Sequence, residues 1–257
     1  SSAGYHTYWC SNQEQKGHYV HNLSAIAKTF QEVFYVNPST ASDSYSLWNG
    51  KSSYDDELIP KLKDYNDFGR SLFEVVHLMG SHPTFSNRYP SSYASFSSED
   101  IKEDNLDIYE KELTAQYMNS VLFNDYVIKE IIDKYSTSSS IIVYFSDHGL
   151  RRYDDPDDTN MFSHACTEVS TRIPFMVYMS EQFVRENPDI YEAVKRTIHN
   201  PIMTDVLCNS LVSLMGIKSN LTDSKFDMWS NRYDITRPRK LKKWDGGILI
   251  VSPKRRS

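Results

Sequence analysis

An aspartate and three histidines are the side chains in this sequence best suited to chemistry, because each lies beside a short apolar run. Asp147 and His148 follow the run Ile141–Phe145 after one intervening residue, Ser146. His82 follows a second such run, and His164 precedes a third. Carboxylate oxygen and imidazole nitrogen are ligands that zinc prefers in proteins. If the fold gathers these four side chains, the sequence predicts a zinc site.

The segment 146–149, Ser-Asp-His-Gly, also fits a simpler structure. Aspartate often accepts a hydrogen bond from a nearby amide and glycine tolerates positive φ, so these residues also form ordinary turns after a strand. His77 lies within an apolar run and is interpreted as a core histidine or as support for a ligand. The other histidines are interpreted as surface or structural residues: His6, His18, His21 and His199. The three cysteines are Cys10, Cys166 and Cys208. Because no CxxC spacing occurs among them, a cysteine zinc site is not expected. One disulfide between two of them is possible, and the sequence does not decide whether it forms.

Three apolar runs supply the strands that must position these groups: 71–79, 141–145 and 173–179. The middle run is continuous in strand-forming residues, which predicts a fully buried, parallel strand. A helical pattern from about 106 to 135 lies between the first two runs and predicts a right-handed βαβ crossover. Ligands bind beyond the carboxyl ends of strands in open parallel sheets, so His82 and Asp147 are expected at the same edge.

Weaker patterns predict further elements. Asn22 is expected to cap a helix over 23–31, and 33–36 is expected to form a short strand. A capping-box pattern at 53–56 predicts a helix to about residue 65, although Pro60 lies inside it. The apolar stripe of the long helix is predicted to be Tyr117, Val121, Ile128, Ile131, Ile132 and Tyr135.

The last third of the chain continues the alternation of strands and helices. A helix is expected from Asn200-Pro201 to about Gly216, and 247–251 is expected to form a last strand at an edge. This alternation predicts an α/β fold, a three-layer αβα sandwich with a mostly parallel central sheet. No linker-like tract divides the chain, so a single domain over 1–257 is predicted.

Composition and charge are those of an ordinary globular protein, with 39% apolar and 24% charged residues. No run approaches the roughly 20 apolar residues of a membrane span. The net charge of −6 argues against a nucleic-acid partner. The basic segments 239–243 and 254–256 are interpreted as a solvated terminus, with contact to anionic lipid as an alternative.

Four segments occur in an order that resembles a known family. They are Gly80-Ser81-His82, Tyr117-Met118-Asn119-Ser120 with Asp125-Tyr126, Ser146-Asp147-His148-Gly149 and Ile173-Pro174-Phe175. In this order they resemble the catalytic domain of bacterial phosphoethanolamine transferases, in the sulfatase branch of the alkaline phosphatase superfamily. The segment 4–13 is similar to one that lies downstream of the nucleophile in that family. Ser-Asp-His-Gly is shared with sulfatases and phosphatases, whereas Gly-Ser-His with the Tyr-Met-Asn-Ser helix is more specific to the transferases.

The resemblance implies a role for each of the four side chains. Asp147 and His148 would bind the catalytic zinc, and His82 and His164 would hold the transferred phosphate or a second metal. In this family a threonine near the first strand attacks phosphorus, and an acidic residue upstream completes the zinc site. No catalytic residue is nominated in this chain, since Thr7 lies in a Tyr- and Trp-rich context rather than at a strand-to-helix elbow. The nucleophile is expected upstream, in an N-terminal part that this chain lacks.

The resemblance also implies an activity for the complete protein. A phosphoethanolamine group would move from a phospholipid donor to a lipid or glycan acceptor at the bacterial inner membrane. The catalytic domain would face the periplasm or the cell exterior, with a preceding segment in the membrane. Hydrolysis of sulfate or phosphate esters is an alternative, as is a non-catalytic protein that binds a ligand. The chain alone is expected to be inactive and to bind zinc weakly or not at all, and an unprotected sheet edge would favour an oligomer.

Overall fold

The computed structural model of this chain describes residues 3–15, 21–36, 53–64, 69, 71–153, 162–163, 166–243 and 245–251. The chain divides into two compact units, unit 1 (Ser1–Lys134) and unit 2 (Tyr135–Ser257). No helix within the described ranges is both long enough and apolar enough to cross a membrane. The single domain over 1–257 remains a prediction.

The described part of unit 1 contains a parallel sheet of three strands. β1 (His6–Ser11) lies in the middle, with β2 (Glu32–Tyr35) on one side and β3 (Leu72–His77) on the other. Trp9 of β1 is opposite Val75 of β3. The apolar patterns predict β2 and β3 correctly. They do not predict β1, because its polar residues interrupt the apolar run, yet β1 is the most buried of the three.

One hydrophobic cluster of unit 1 forms on one face of this sheet. Tyr8 and Cys10 lie two residues apart and therefore point to the same face of β1, where both are buried with Leu58. Residues on and beyond the neighbouring strands pack against them: Phe34, Val36, Leu72, Val76 and Leu78. The helix α1 (His21–Ala27) ends before the predicted boundary at residue 31.

The segment before β3 forms a 3₁₀ helix, Asp55–Lys61, rather than the predicted α-helix. No side chain caps its first turn, so the capping box predicted at 53–56 is not formed. Pro60 lies inside the element and has no N–H to donate to the carbonyl four residues earlier, which disfavours an α-helix here. Asp55 and Leu58, which share a face at the 3₁₀ spacing of three residues, are its buried residues.

The long helix α2 (Ile108–Tyr135) confirms the predicted element, but its buried face differs from the predicted stripe. Val121 is 41% exposed, and Ile131 alone of the six predicted residues is buried. The buried residues are Thr114, Ala115, Asn119, Ser120, Phe123, Val127 and Ile131. Several of them are polar, so a pattern of apolar residues does not find this face. The strands β3 and β4 (Ile141–Phe145) belong to separate ladders among the described residues, and the right-handed crossover remains a prediction.

Unit 2 contains an antiparallel ladder at the predicted central strand. β4 pairs with β7 (Phe175–Met179), so the strand itself is confirmed. Its predicted parallel pairing is wrong for this partner, and most of β4 is half-buried rather than fully buried. A parallel pair needs a long crossover, usually a helix. The described part of 146–174 instead holds the short strands β5 (Arg151–Arg152) and β6 (Phe162–Ser163) and a 3₁₀ turn.

The remaining elements of unit 2 are short. They are α3 (Glu181–Glu186), α4 (Pro188–Thr197), α5 (Leu207–Leu214) and the antiparallel strands β8 (Arg239–Lys242) and β9 (Ile248–Val251). Short 3₁₀ turns in the two units are Phe85–Asn87, Ser91–Tyr93, Ser98–Asp100, Val169–Thr171, Thr204–Val206 and Ser224–Phe226. The last strand is close to the predicted range, whereas β8 falls in the segment interpreted as a basic terminus.

The core of unit 2 packs against β7. Its buried residues are Val194, Val206, Met228, Trp229 and Tyr233, and Phe175, Val177 and Met179 of β7 contact them. The helix α5 begins at Leu207 rather than at Asn200 as predicted, because a 3₁₀ turn precedes it. Gly216 has φ of +65° and lies just past the end of α5, as predicted.

Candidate active site

Asp147 and His148 lie in the loop that leaves β4, as the sequence predicts. Asp147 Oδ1 accepts a hydrogen bond from the His148 backbone N–H at 2.9 Å and lies 3.8 Å from His148 Nε2. The two side chains are 85% and 48% exposed, respectively. The Ser146 hydroxyl donates to the His148 carbonyl at 2.7 Å. The loop therefore presents a carboxylate and an imidazole side by side to solvent.

Gly149 is required by the close approach of a neighbouring segment. Its N–H donates to the Ser170 carbonyl at 2.9 Å. A Cβ at this position would lie 2.5 Å from the Arg172 carbonyl oxygen and 2.9 Å from that of Ser170, closer than carbon and oxygen can pack. The segment 170–172 thus fixes the Asp-His loop through its backbone. The turn alternative expects positive φ at Gly149, and this part is wrong, because Gly149 does not have a positive φ and the close approach alone requires glycine. The hydrogen bond from the His148 N–H to Asp147 is compatible with both a turn and a metal site.

The hydrogen bonding of His148 defines which ring nitrogen would bind a metal. Its Nδ1 lies 3.0 Å from the Gly149 carbonyl oxygen. A carbonyl oxygen can only accept, so Nδ1 carries the proton and Nε2 carries the lone pair of the neutral ring. Two ligands of a tetrahedral zinc ion, each at about 2.0–2.1 Å, are roughly 3.3 Å apart. The 3.8 Å separation of His148 Nε2 and Asp147 Oδ1 is about 0.5 Å longer than that value, so the exposed Asp147 side chain would have to move closer for both atoms to bind one zinc ion.

His82 lies in unit 1, in the loop that follows β3. Its Nδ1 is 2.5 Å from the Pro83 carbonyl oxygen, which assigns the proton to Nδ1 and the lone pair to Nε2, as in His148. Arg88 donates from Nε to the His82 carbonyl at 2.8 Å and from Nη2 to the Pro83 carbonyl at 3.0 Å. The backbone around His82 is therefore tied to a buried guanidinium.

A buried carboxylate holds the other side of this loop. Asp55 Oδ1 accepts hydrogen bonds from Asn12 Nδ2 at 2.8 Å and from the Met79 N–H at 2.9 Å, and Oδ2 accepts one from the Gly80 N–H at 2.8 Å. Burial raises the pKa of Asp55, while these hydrogen bonds and the charge of Arg88 oppose the rise. Asp55 thus connects the carboxyl ends of β1 and β3 to the loop that carries His82.

Sequence reasoning missed both of these charged residues. One signal exists for Asp55: it precedes Leu58 by three residues, the spacing of one face of a 3₁₀ helix, and an α-helical interpretation hides it. Asp56 and Glu57 follow directly and suggest an acidic, solvated turn. For Arg88 the sequence offers no pattern that distinguishes it from a surface arginine.

The structure brings two of the four predicted ligands together. Asp147 and His148 are neighbours in unit 2, His82 lies in unit 1, and His164 lies outside the described residues. Within either unit, the described residues contain no group of three or more His, Cys, Asp or Glu side chains that could hold a metal ion. The four-residue site therefore remains a prediction.

His77 and Cys10, two further residues considered from the sequence, lie in β3 and β1 of the parallel sheet. His77 Nδ1 lies 3.0 Å from Ser11 Oγ, which links β3 to β1, and its ring contacts that of Trp9. Cys10 is fully buried in β1, and burial raises the pKa of its thiol to about 11, so it is a core residue rather than a nucleophile. Cys10, Cys166 and Cys208 are all free thiols.

The fold and the strand-end loops agree with a direct match to a known family. The Sulfatase family model matches residues 1–217, which is most of the chain. The chain therefore belongs to the Sulfatase family. This membership confirms the predicted resemblance to the sulfatase branch.

Curated relatives lie in the phosphoethanolamine transferase branch. Phosphoethanolamine transferase EptC of Escherichia coli (strain K12) is 25% identical over 249 residues, covering 92% of this chain and 39% of EptC. Phosphoethanolamine transferase OpgE of the same strain is 29% identical over 184 residues, covering 70% of this chain and 32% of OpgE. The predicted resemblance to phosphoethanolamine transferases is confirmed. The chain spans less than two fifths of the length of these relatives.

A solved structure shows the fold. The crystal structure of the C-terminal periplasmic domain of EptC from Escherichia coli, in complex with Zn, matches with a TM-score of 0.82 and 23% identity. The match covers 97% of this chain and 69% of that domain. The predicted α/β class, an alkaline phosphatase-like αβα sandwich with a parallel sheet, is confirmed, with the antiparallel β4–β7 ladder as the local correction.

Proposed function

We propose that the complete protein is a zinc-dependent phosphoethanolamine transferase. Its substrates would be a phospholipid donor and a lipid or glycan acceptor. The observation that carries the proposal is the Asp147–His148 pair, which presents a carboxylate and an imidazole side by side after β4, in a chain that aligns with EptC over 92% of its residues. The proposed location is the bacterial inner membrane, with this part of the protein in the periplasm, because the matched solved domain is periplasmic.

Each of the predicted site residues has a proposed role. Asp147 Oδ1 and His148 Nε2 would hold zinc, which when bound lowers the pKa of a hydroxyl group and neutralises charge on phosphoryl oxygens. His82 and His164 would contact the transferred phosphate or a second metal. Because His82 Nδ1 bonds the Pro83 carbonyl, His82 would meet a phosphate through Nε2, which donates when the ring is protonated.

The proposed roles within this chain are binding and orientation. The Asp-His loop is fixed by the backbone contact of Gly149 with 170–172, so the backbone that carries the two ligands would be held in place before a metal arrives. Held ligands lose little conformational freedom on binding, which favours a defined geometry at the metal. The attacking hydroxyl and a further acidic ligand would come from residues outside this chain.

The test uses the complete protein in detergent with a fluorescent phosphatidylethanolamine donor. Labelled acceptor and released diacylglycerol are measured together, with and without zinc. Asp147→Asn and His148→Gln should each reduce transfer at least about 100-fold and lower the bound zinc. Glu181→Gln, an exposed member of an i,i+4 ion pair with Arg185 in unit 2, is the control and should retain activity.

The product pattern separates the alternatives. Diacylglycerol and labelled acceptor in equal amounts support the transferase. Zinc-dependent release of diacylglycerol and free phosphoethanolamine, without labelled acceptor, would instead assign hydrolysis of a phosphate ester. Release of sulfate from a separately supplied aryl sulfate would assign a sulfatase. Binding of the lipid without any product, in the complete protein with its zinc, would contradict an enzymatic function.

A further inference from the structure

Two buried charged residues of unit 1 form hydrogen bonds with the backbone at opposite ends of one loop. The loop runs from Met79 to Pro83 and carries His82. Asp55 and Arg88 are each 5% exposed, although charged side chains are rarely buried in proteins. Asp55 begins the 3₁₀ helix before β3, and Arg88 directly follows the short turn Phe85–Asn87. They therefore reach the loop from two separate segments.

We propose that Asp55 and Arg88 are positioning residues for His82. Together they would fix the 79–83 loop so that His82 donates from Nδ1–H to the Pro83 carbonyl and directs Nε2 toward the substrate, to which Nε2–H donates once the ring is protonated. The proposal rests on the proposed function only for the nature of that substrate, a phosphate group. The structural part, control of the His82 ring, stands on the contacts alone.

Asp55 fixes the first half of the loop. Its two carboxylate oxygens accept from the consecutive N–H groups of Met79 and Gly80, at 2.9 and 2.8 Å. Two adjacent amides that converge on one anion form a small backbone nest, which orients both peptide planes at once. Asn12 donates to the same carboxylate at 2.8 Å from the end of β1. Because β1 is the central strand, the start of the loop is anchored to the middle of the sheet.

Arg88 fixes the second half of the loop. Its Nε and Nη2 donate to the carbonyls of His82 and Pro83, at 2.8 and 3.0 Å. The rigid fork of a guanidinium matches two neighbouring carbonyls in a way that the single ammonium of lysine does not. The Pro83 carbonyl also accepts from His82 Nδ1 at 2.5 Å. One carbonyl therefore connects the arginine to the histidine ring, and its orientation sets that of the ring.

The charges of the two residues support a role beyond fold stability. Burying a charge is costly unless it is paired and hydrogen-bonded, and neutral side chains can anchor a loop at lower cost. Asn119 does this elsewhere in unit 1, where its amide holds the backbone of Ser95 and Phe96. The 79–83 loop is instead held by two charged groups. The Asp55 carboxylate accepts from the N–H groups at its start, and the Arg88 guanidinium donates to the carbonyls at its end.

The first test is nuclear magnetic resonance of the 257-residue chain labelled uniformly with ¹⁵N, which reports both the histidine ring nitrogens and the backbone amides. Spectra are recorded at about pH 8.5, two units above the ordinary imidazole pKa, and the His82 signals are assigned with His82→Gln. The native His82 should show the Nδ1–H tautomer. Arg88→Lys and Asp55→Asn should each shift His82 toward the Nε2–H tautomer and speed exchange of the Gly80 amide at least about tenfold.

Asn119→Ala is the matched control for a general loss of stability. It removes a buried anchor of another loop in the same unit and should leave the His82 tautomer unchanged. If Asp55→Asn does not fold, Arg88→Lys carries the test, because it keeps the charge and removes only the fork. An unchanged His82 tautomer in folded Arg88→Lys or Asp55→Asn overturns the proposal.

The second test is transfer activity in the complete protein. Both variants should lower kcat about 10- to 100-fold, with a smaller change in KM for the lipid donor, because they misplace a group without removing it. If Asn119→Ala loses as much kcat at the same folded fraction, the loss reflects general destabilisation, and the positioning role is overturned. If the native protein transfers nothing while the His82 tautomer responds to both variants, the proposed function fails and the control of His82 stands.

Discussion

Gly149 has no Cβ, which allows the backbone of the Asp-His loop to lie against the segment 170–172. Alanine at Gly149 would place a Cβ 2.5 Å from the Arg172 carbonyl oxygen, and this contact is with backbone rather than with a flexible side chain, so one of the two segments must shift. We expect Gly149→Ala to lower the free energy of unfolding by about 1–3 kcal/mol, as overpacking does elsewhere. Urea unfolding followed by circular dichroism measures this change.

Gly247→Ala provides the control for that substitution. A Cβ at Gly247 would meet the end of the exposed Asp245 side chain at 3.0 Å, and a flexible side chain can rotate away. The expected change is below about 0.5 kcal/mol, as for most surface substitutions. Equal effects at the two glycines would contradict the role assigned to the backbone contact of Gly149.

Glu32 is a residue whose charge is fixed by two neighbours. Its Oε1 lies 2.7 Å from His6 Nε2, and its Oε2 lies 2.6 Å from Lys63 Nζ. The hydrogen bond from Lys63 lowers the pKa of Glu32 below its usual value of 4.5, burial opposes this, and His6 adds to the lowering. A lowered pKa in the folded state means that the unfolded chain binds the proton more readily.

The stability contributed by Glu32 is therefore present above the unfolded-state pKa and is lost as pH falls through the folded value. We expect native protein to exceed Glu32→Gln in free energy of unfolding near neutral pH and the difference to shrink below about pH 4.5. Since Glu32 is 39% exposed, the difference should be small. Urea unfolding at a series of pH values checks it, with exposed Glu181→Gln as the control. A difference that is independent of pH would contradict the ion-pair origin.

At the scale of elements, α2 is held in unit 1 by polar as well as apolar side chains. Asn119 Oδ1 accepts from the N–H groups of Ser95 and Phe96 at 2.9 and 2.8 Å, and Nδ2 donates to the Phe96 carbonyl at 2.9 Å. Asn119 is 2% exposed, so its loss leaves buried backbone groups without this partner. The helix thus anchors the loop before it by hydrogen bonds from its buried face.

Asn119→Ala and Val121→Ala distinguish the observed face of α2 from the predicted stripe. We expect Asn119→Ala to cost about 2–4 kcal/mol, since several buried hydrogen bonds are lost together. Val121→Ala should cost less than about 1 kcal/mol, because Val121 is 41% exposed. Midpoints of urea unfolding give both values. A larger loss at Val121 would support the predicted apolar stripe instead.

Local sequence patterns predict the elements that consist of a single kind of residue. β3, β4, β7 and β9 are apolar runs, and α2 has a clear helical length, so each is predicted. β1 mixes His6, Thr7 and Ser11 with aromatic residues, and its burial depends on β2 and β3 covering both of its edges. The direction of the β4–β7 pair also depends on a long-range contact. Such features are set by tertiary packing, which no short window contains.

The candidate site divides in the same way. Asp147 and His148 are predictable, because a polar pair after an apolar strand marks a strand end. Asp55 and Arg88 are not, because their importance comes from the Met79–Pro83 backbone that they contact rather than from their own neighbours in sequence. Every residue type except proline has the same backbone N–H and C=O groups, so the sequence of a loop does not show which side chains will bond to its backbone.

At the scale of the whole molecule, the two units share one chemical device. His82 in unit 1 and His148 in unit 2 each direct Nδ1–H to the carbonyl of the following residue, so Nε2 carries the lone pair of each neutral ring. Metal-binding histidines commonly use this arrangement, because the second hydrogen bond fixes the tautomer and the ring orientation.

A two-ligand fragment of a zinc site binds metal weakly, because affinity falls with each missing ligand. We therefore expect the 257-residue chain alone to take up less than one equivalent of zinc and to lose it on dialysis, with no turnover of a phosphate or sulfate ester. The complete protein should retain about one equivalent. Metal analysis after dialysis and a competitive dye titration measure both. His148→Gln should abolish the residual uptake by the chain, whereas His199→Gln, an exposed histidine outside the loop, should not. Tight zinc binding by the isolated chain would mean that residues within 1–257 complete the ligand set, since Asp147 and His148 cannot hold the ion firmly by themselves.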